Sequence, residues 1–311
     1  MIYLIGHKSP DLDAVAATVE YADFLTKIKR YKEDLIPLCA GEPNIETQFV
    51  FEKFGIQIPQ NISEVSFTNT DQIILVDHNE EAQRVESINN DNVVEIVDHH
   101  KININFTKPL RIDVRPLGST STVVMQLFKE NNVEASKDTK ALALAAILSD
   151  TQGLKASTTT GTDAEFAEQL AKDLDLDLEK LTFEIFKAKS DITGLTVNQI
   201  ATKDFKVFEF GTQKVFINQI ETVEPETILE NAKVYAQELE NVKVQHGASQ
   251  GYIVVTDILK VNSHIIYSND IEKQIAEEAF TTTGDEFVAN IGPKMSRKKD
   301  IAPAIEKVVL G

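Results

Sequence analysis

Histidine and aspartate recur in this sequence at the ends of short apolar runs, where their side chains can converge. Gly6-His7-Lys8-Ser9-Pro10-Asp11-Leu12-Asp13 follows a run, Met1–Gly6, that reads as a strand, and it opens a stretch, Ala14–Ile28, that reads as a helix. Val76-Asp77-His78-Asn79 and Val97-Asp98-His99-His100 end two further strand-like runs, Ile73–Val76 and Val93–Val97. Leu148-Ser149-Asp150 ends an alanine-rich apolar helix, Ala141–Leu148. Taken singly, each segment is compatible with an ordinary cap or turn, since Asp11 and Asp13 would complement a helix dipole without further purpose. Taken together, they put imidazoles and carboxylates at the carboxyl ends of several strands, which is where open parallel sheets bind ligands. Mixed imidazole and carboxylate donors suit a borderline-hard divalent ion with octahedral preference, manganese first, cobalt close behind and zinc less so. Two such ions about 3.5–4 Å apart can activate one water between them, which is hydrolytic chemistry. The competing chemistries lack their parts: there is no nucleophile elbow, no P-loop and no dinucleotide-binding glycine pattern.

The elements that must position these residues alternate strand and helix through the first half. Helical stretches are expected at Glu46–Phe54, Thr120–Glu130 and Thr162–Asp173 beside those above, so the expected fold class is α/β, a mainly parallel sheet flanked by helices. Beyond about Lys189 the texture changes. Val207–Phe210 and Lys214–Ile220 flank Gly211-Thr212 as a hairpin, Pro225–Leu239 reads as a helix, Tyr252–Leu259 and Ser263–Tyr267 as strands, and Ile271–Phe280 as a helix. A smaller mixed α/β domain is therefore expected over 196–311, a catalytic domain over 1–188, and a linker or hinge at 189–195. The Gly118-Ser119-Thr120 turn reads as simple helix capping, and His78, His246 and His264 as structural.

A chain of 311 residues, 42% of them hydrophobic, exceeds the size at which one core usually stops growing, which favours two domains. Lysine and arginine number 31 against 49 aspartates and glutamates, a formal charge of −18 that repels extended nucleic acid. Salt screens that field within about 8–10 Å, so a small chelated anion can still be bound by local cations. No apolar run of about 18 residues suggests a membrane span, and the chain reads as cytoplasmic. The single cysteine, Cys39, reads as a small buried apolar residue. Near the end, Ser296-Arg297-Lys298-Lys299 forms a cationic run in an otherwise acidic chain; such runs are commonly solvated faces.

With these residues in view, the sequence resembles, over essentially its whole length, the manganese-dependent, family II inorganic pyrophosphatases of the DHH phosphoesterase superfamily, whose motif is met at Asp98-His99-His100. The resemblance implies that His7, Asp11, Asp13, Asp77, His99 and Asp150 hold two manganese ions, with Asp77 as the bridge and cobalt able to substitute. It implies that His100 faces substrate, that Asp98 orients a ligand, and that His100, Lys206, Ser296, Arg297 and Lys298 bind pyrophosphate, accompanied by magnesium. It assigns Lys299 no role, and it implies a homodimer. Where the family usually has two apolar residues and then lysine after Asp150, this chain has Gln152-Gly153 before Leu154 and Lys155, and Ala156-Ser157 replaces a common Ser-Pro. The glycine is expected to loosen the segment carrying Asp150. Other enzymes of the superfamily, the exonucleases and the oligonucleotide or cyclic-dinucleotide phosphodiesterases, share the metal half but end in a Gly-Gly-Gly-His motif that is absent here. A non-catalytic metal or nucleotide sensor would be expected to show degraded ligands, and none is missing.

Overall fold

The computed structural model describes residues 1–311 as two compact units, Met1–Ala188 and Lys189–Gly311. In the first, β1 (Ile2–Ile5), β2 (Leu35–Leu38), β3 (Gln72–Val76), β4 (Val93–Asp98) and β5 (Arg111–Val114) form an all-parallel sheet in the order β2-β1-β3-β4-β5. Alternate residues of the strands face opposite sides. Ile2, Leu4, Ile74, Val76 and Val97 meet the helices α1 (Leu12–Lys27), α3 (Thr120–Glu130), α4 (Lys137–Asp150) and α5 (Gly161–Leu174), while Tyr3, Ile5, Ile73, Leu75 and Ile96 pack under the segments around Ile62, Ile88 and Leu110. Helix α4 is apolar on all sides, from Ala141 to Leu148, because it is buried on all sides. Helices α2 (Ile45–Phe54) and α6 (Leu178–Lys189) complete the unit.

The strand order reverses direction between β1 and β3, so the crevice beyond their carboxyl ends is the ligand position this topology offers. His7 follows β1, Asp77 follows β3, and Asp98 ends β4. Buried Glu95, three residues earlier, pins β4 to its surroundings: it accepts from the Tyr21 and Tyr31 hydroxyls and lies 3.5 Å from Arg30 and 3.3 Å from Arg111.

The second unit holds a mixed sheet, β10-β9-β8-β7-β6, made of β6 (Phe205–Phe210), β7 (Gln213–Thr222), β8 (Gln250–Asp257), β9 (Asn262–Ile266) and β10 (Val288–Gly292), in which only β7 and β8 run parallel. One face packs on α7 (Val197–Ala201) and α9 (Ala232–Gln245), the other on α10 (Asp270–Phe280) and α11 (Ala302–Leu310). The helix expected over Pro225–Leu239 is interrupted: α8 (Glu226–Leu229) ends, and α9 starts afresh after Asn231. The Asn231 amide side chain donates to Thr227 O at 3.1 Å, the carbonyl that a continuous helix would give to its own N–H, which turns to Ile228 O instead. Lys243 is buried in this unit with its ammonium 2.7 Å from Glu272 and 2.8 Å from Glu240.

Candidate metal centre

Two histidines are oriented in the same way. His7 Nδ1 lies 3.0 Å from Lys8 O and His99 Nδ1 3.0 Å from Leu117 O, contacts that only a protonated Nδ1 can make. In the neutral ring, the form that binds a cation, Nε2 then carries the lone pair. His7 Nε2 is 3.5 Å from Asp11 Oδ1 and 3.6 Å from Asp77 Oδ2; His99 Nε2 is 3.5 Å from Asp77 Oδ1 and 3.7 Å from Asp150 Oδ2. Lone pairs thus face lone pairs, and His99 Nε2 is buried with no hydrogen-bond partner. Such a donor set is repulsive unless a proton or a metal cation sits among it, and its mix of imidazole and carboxylate suits a divalent ion. The ligand atoms of His7, Asp11 and Asp77 fall within 4.8 Å of one another, as do those of Asp13, His99 and Asp150. Asp77 faces a histidine of each group, His7 with one oxygen and His99 with the other.

A third grouping at the same spacing, Asp77, His99 and His100, is of another kind. His100 Nδ1, its nitrogen nearest Asp77 at 3.7 Å, is committed to Asp98 Oδ1 at 2.9 Å. That hydrogen bond raises the His100 pKa, and despite burial the Asp98 carboxyl is held below the usual carboxylate range by its bonds from His100 and Asn79. His100 is half exposed, and its other nitrogen is a donor when the ring is protonated, whereas His78 is fully buried, donates to Val76 O at 2.9 Å, and joins neither metal group.

Local hydrogen bonds fix the orientation of these carboxylates. Asp11 caps α1, accepting from Ala14 N at 3.0 Å. Asp13 is completely buried, yet its Oδ2 accepts from Thr120 N at 2.7 Å and its Oδ1 from Ser121 N at 3.0 Å and Ser121 Oγ at 2.6 Å. The amino end of α3 therefore does bind an anion, the protein's own Asp13, beyond the simple capping read from sequence, in which Ser119 accepts from Thr122 N. Three acceptances leave Asp13, with about four lone-pair positions, one on Oδ2 for a cation. Thr120 Oγ1 donates to Asp77 Oδ1 at 2.7 Å, and Asp77 adopts a left-handed φ of +60°, a strained conformation that aims its carboxylate off the end of β3. Burial, together with the charges of Asp13, Asp11 and Asp150, pushes Asp77 well above the carboxylate range, and burial also raises Asp13. Positive charge placed among them removes that penalty.

The cationic run lies in the second unit. Ser296 begins a short helical turn, Arg297–Ile301, and its hydroxyl caps Lys299 N at 3.2 Å. Arg297 donates from its backbone to Gln219 Oε1 at 3.0 Å and from its guanidinium to Asp204, once to the carbonyl and once to Oδ1 at 2.8 Å. Lys298 and Lys299 are exposed, and Lys206 on β6 is exposed with Nζ 5.2 Å from the Phe208 ring centre.

Comparison with known proteins decides the family. Residues 1–147 match the DHH family N-terminal domain and 183–308 the DHHA2 domain. The chain is 34% identical to a probable manganese-dependent inorganic pyrophosphatase of Bacillus licheniformis, covering 100% of this chain and 99% of that one. It is 32% identical to a manganese-dependent inorganic pyrophosphatase of Methanocaldococcus jannaschii, with full coverage of both. A crystal structure of a putative family II inorganic pyrophosphatase from Methanococcus jannaschii, 31% identical, superposes over 100% of both chains with a TM-score of 0.62. The chain belongs to the manganese-dependent, family II inorganic pyrophosphatases. An exopolyphosphatase-related protein from Bacteroides fragilis, 14% identical with a TM-score of 0.52, shares the fold.

Within that family frame, the departure after Asp150 has a defined structure. Gln152, Gly153 and Leu154 all have left-handed φ, between 50° and 66°, and Gly153 N bonds Leu148 O at 2.7 Å to close the end of α4. A Cβ on Gly153 would stand 2.7 Å from Thr182 Cγ2. The glycine thus lets the turn pack against α6, where loosening was expected. Sequence reasoning missed three residues that hold the centre in shape. Asn79 donates to Asp98 Oδ2 at 2.6 Å and accepts from Asn103 N at 2.7 Å; Asp163 gathers Gly118 N, Thr122 Oγ1 and Thr160 N around the start of α3. Glu20 is the third. It was legible as an acid seven residues after Asp13, on the same helix face, inside an otherwise apolar run.

Proposed function

We propose that this chain hydrolyses inorganic pyrophosphate to two phosphates, with His7, Asp11 and Asp77 holding one manganese ion and Asp13, Asp77, His99 and Asp150 a second. The observation that carries the reading is Asp77, whose two oxygens face two different histidine nitrogens at 3.5 and 3.6 Å, the disposition of a bridging carboxylate. When bound, such an ion pair supplies Lewis acidity and an activated water for attack on phosphorus. The protein's own groups do the rest. Lys8 O, Leu117 O and Thr120 Oγ1 fix the ligand orientations, and Asp98 holds His100 as a hydrogen-bond donor toward a phosphate oxygen. Lys206, Ser296, Arg297 and Lys298 bind substrate phosphate, Arg297 exchanging its hold on Asp204 for a phosphate oxygen. Cobalt substitutes for manganese, magnesium accompanies pyrophosphate, residues 189–195 act as the linker, and the enzyme works as a cytoplasmic homodimer; the family resemblance is the support for these finer points.

Removal of metal by a chelator, verified by elemental analysis, is expected to abolish phosphate release, and manganese or cobalt to restore it. His99→Gln is expected to weaken manganese binding by about tenfold or more. Full activity in metal-free protein would overturn the reading.

A further inference from the structure

Glu20 is a carboxyl group with no access to solvent, placed in the middle of α1 beneath the proposed metal ligands. Its Oε1 lies 3.0 Å from Ser121 Oγ, and its Oε2 is buried without any hydrogen-bond partner. The same Ser121 oxygen lies 2.6 Å from Asp13 Oδ1. A serine hydroxyl carries one proton and cannot donate it to two carboxylates. The shorter contact, to the acid that also receives Ser121 N, takes that proton. Were Glu20 ionised, its Oε1 would then face a serine lone pair and its Oε2 would be a bare buried anion, both costly. As the neutral acid, Oε1–H donates to Ser121 Oγ and only a carbonyl oxygen stays unpaired. Burial and the charge of Asp13 push the Glu20 carboxyl in the same direction, well above the usual range.

We infer that Glu20 is a positioning residue that, as a neutral carboxylic acid, donates to Ser121 Oγ and so commits the Ser121 hydroxyl to Asp13. The relay Glu20–Ser121–Asp13 has one direction. It saturates Asp13 Oδ1 and leaves the free lone pair on Oδ2, the oxygen that Thr120 N also fixes. Outer groups that orient a ligand in this way typically change metal affinity by about 10–100-fold when removed. The inference rests on Asp13 being a metal ligand, and the variants below separate the two claims.

The test is a manganese titration of metal-stripped wild type, Glu20→Gln, Glu20→Leu, Ser121→Ala and Asp13→Asn, with thermal unfolding of each stripped protein and infrared spectra at neutral pH. Glutamine keeps a donor and no charge, so Glu20→Gln is expected to bind both ions within about threefold of wild type, while Glu20→Leu and Ser121→Ala bind one ion about tenfold more weakly. The infrared spectrum is expected to show a protonated-carboxyl band that Glu20→Gln removes and Ser121→Ala retains. A purely structural Glu20 would lower the unfolding temperature of the stripped protein and leave affinity alone, overturning the inference. Glu20→Gln binding as weakly as Glu20→Leu, or no acid band in wild type, would overturn it too. Should Glu20→Leu fail to fold, the Ser121→Ala and infrared results decide. Asp13→Asn retaining both ions at wild-type affinity would instead refute the ligand assignment on which the relay stands.

Discussion

Gly118→Ala is a one-carbon change at a residue that is not itself a proposed ligand, and its consequences can be worked out from local distances. The added Cβ would stand 2.7 Å from Asp163 Oδ2, 2.7 Å from Thr151 Cγ2 and 2.8 Å from Asp163 Cγ. Asp163 cannot swing away without loss, because it accepts from Gly118 N at 3.0 Å, Thr122 Oγ1 at 2.6 Å and Thr160 N at 2.6 Å, and Thr151 is fully buried. Overpacking of this kind costs about 1–3 kcal/mol, and loosening one hydrogen bond to a charged group about 1.5–3 kcal/mol. Together they imply a loss of about 2.5–6 kcal/mol of stability. Just beyond, Thr120 and Ser121 grip Asp13 and Asp77, so displacement of this turn should also weaken manganese binding by about tenfold or more. Urea unfolding of the metal-stripped protein is expected to show a lower midpoint at unchanged slope, and calorimetric titration the weaker binding. A wild-type midpoint with wild-type affinity would refute the claim that Asp163 and the start of α3 shape the centre.

Two further outcomes follow from groups outside the ligand set. Lys243→Met leaves Glu272 buried beside no cation and should destabilise the second unit by about 3–5 kcal/mol while manganese affinity stays unchanged; thermal unfolding and metal titration check both halves of that statement. Burial pulls the His78 pKa from the ordinary 6.5 down to about 4. The unfolded chain therefore takes up this proton first as pH falls, and stability drops between those two values by about 3 kcal/mol. His78→Asn, which can still donate to Val76 O, should flatten that part of the stability–pH profile of the stripped protein, and an unchanged profile would contradict it.

What could be read from the sequence, and what could not, follows burial and separation along the chain. The inner strands β1, β3 and β4 and the helices α1, α3 and α4 declared themselves through apolar periodicity, and the residues at their ends are those the fold brings together. Strands β2, β5 and β10 did not: all three are short edge strands, Leu35–Leu38 contains Pro37 and Arg111–Val114 is half polar, whereas the edge strand β6 was legible through its hairpin turn. Groups that act from a distance were equally silent. Asp163 lies 45 residues from Gly118, and Ser121 lies 101 from Glu20, so no local spacing joins them. The Arg297–Asp204 pair, 93 residues apart, was hidden for the same reason.

Substrate choice tests the central claim most directly, because the metal groups alone are compatible with cleaving anhydrides or diesters. Metal-stripped protein reloaded with manganese, in the presence of magnesium, should be assayed against pyrophosphate, ATP, a short oligonucleotide and a cyclic dinucleotide. The expected result is a kcat/KM for pyrophosphate that exceeds every other by about a hundredfold or more, and that vanishes when manganese is withdrawn. Preference for any nucleotide, or pyrophosphate hydrolysis that survives metal removal, would contradict the account.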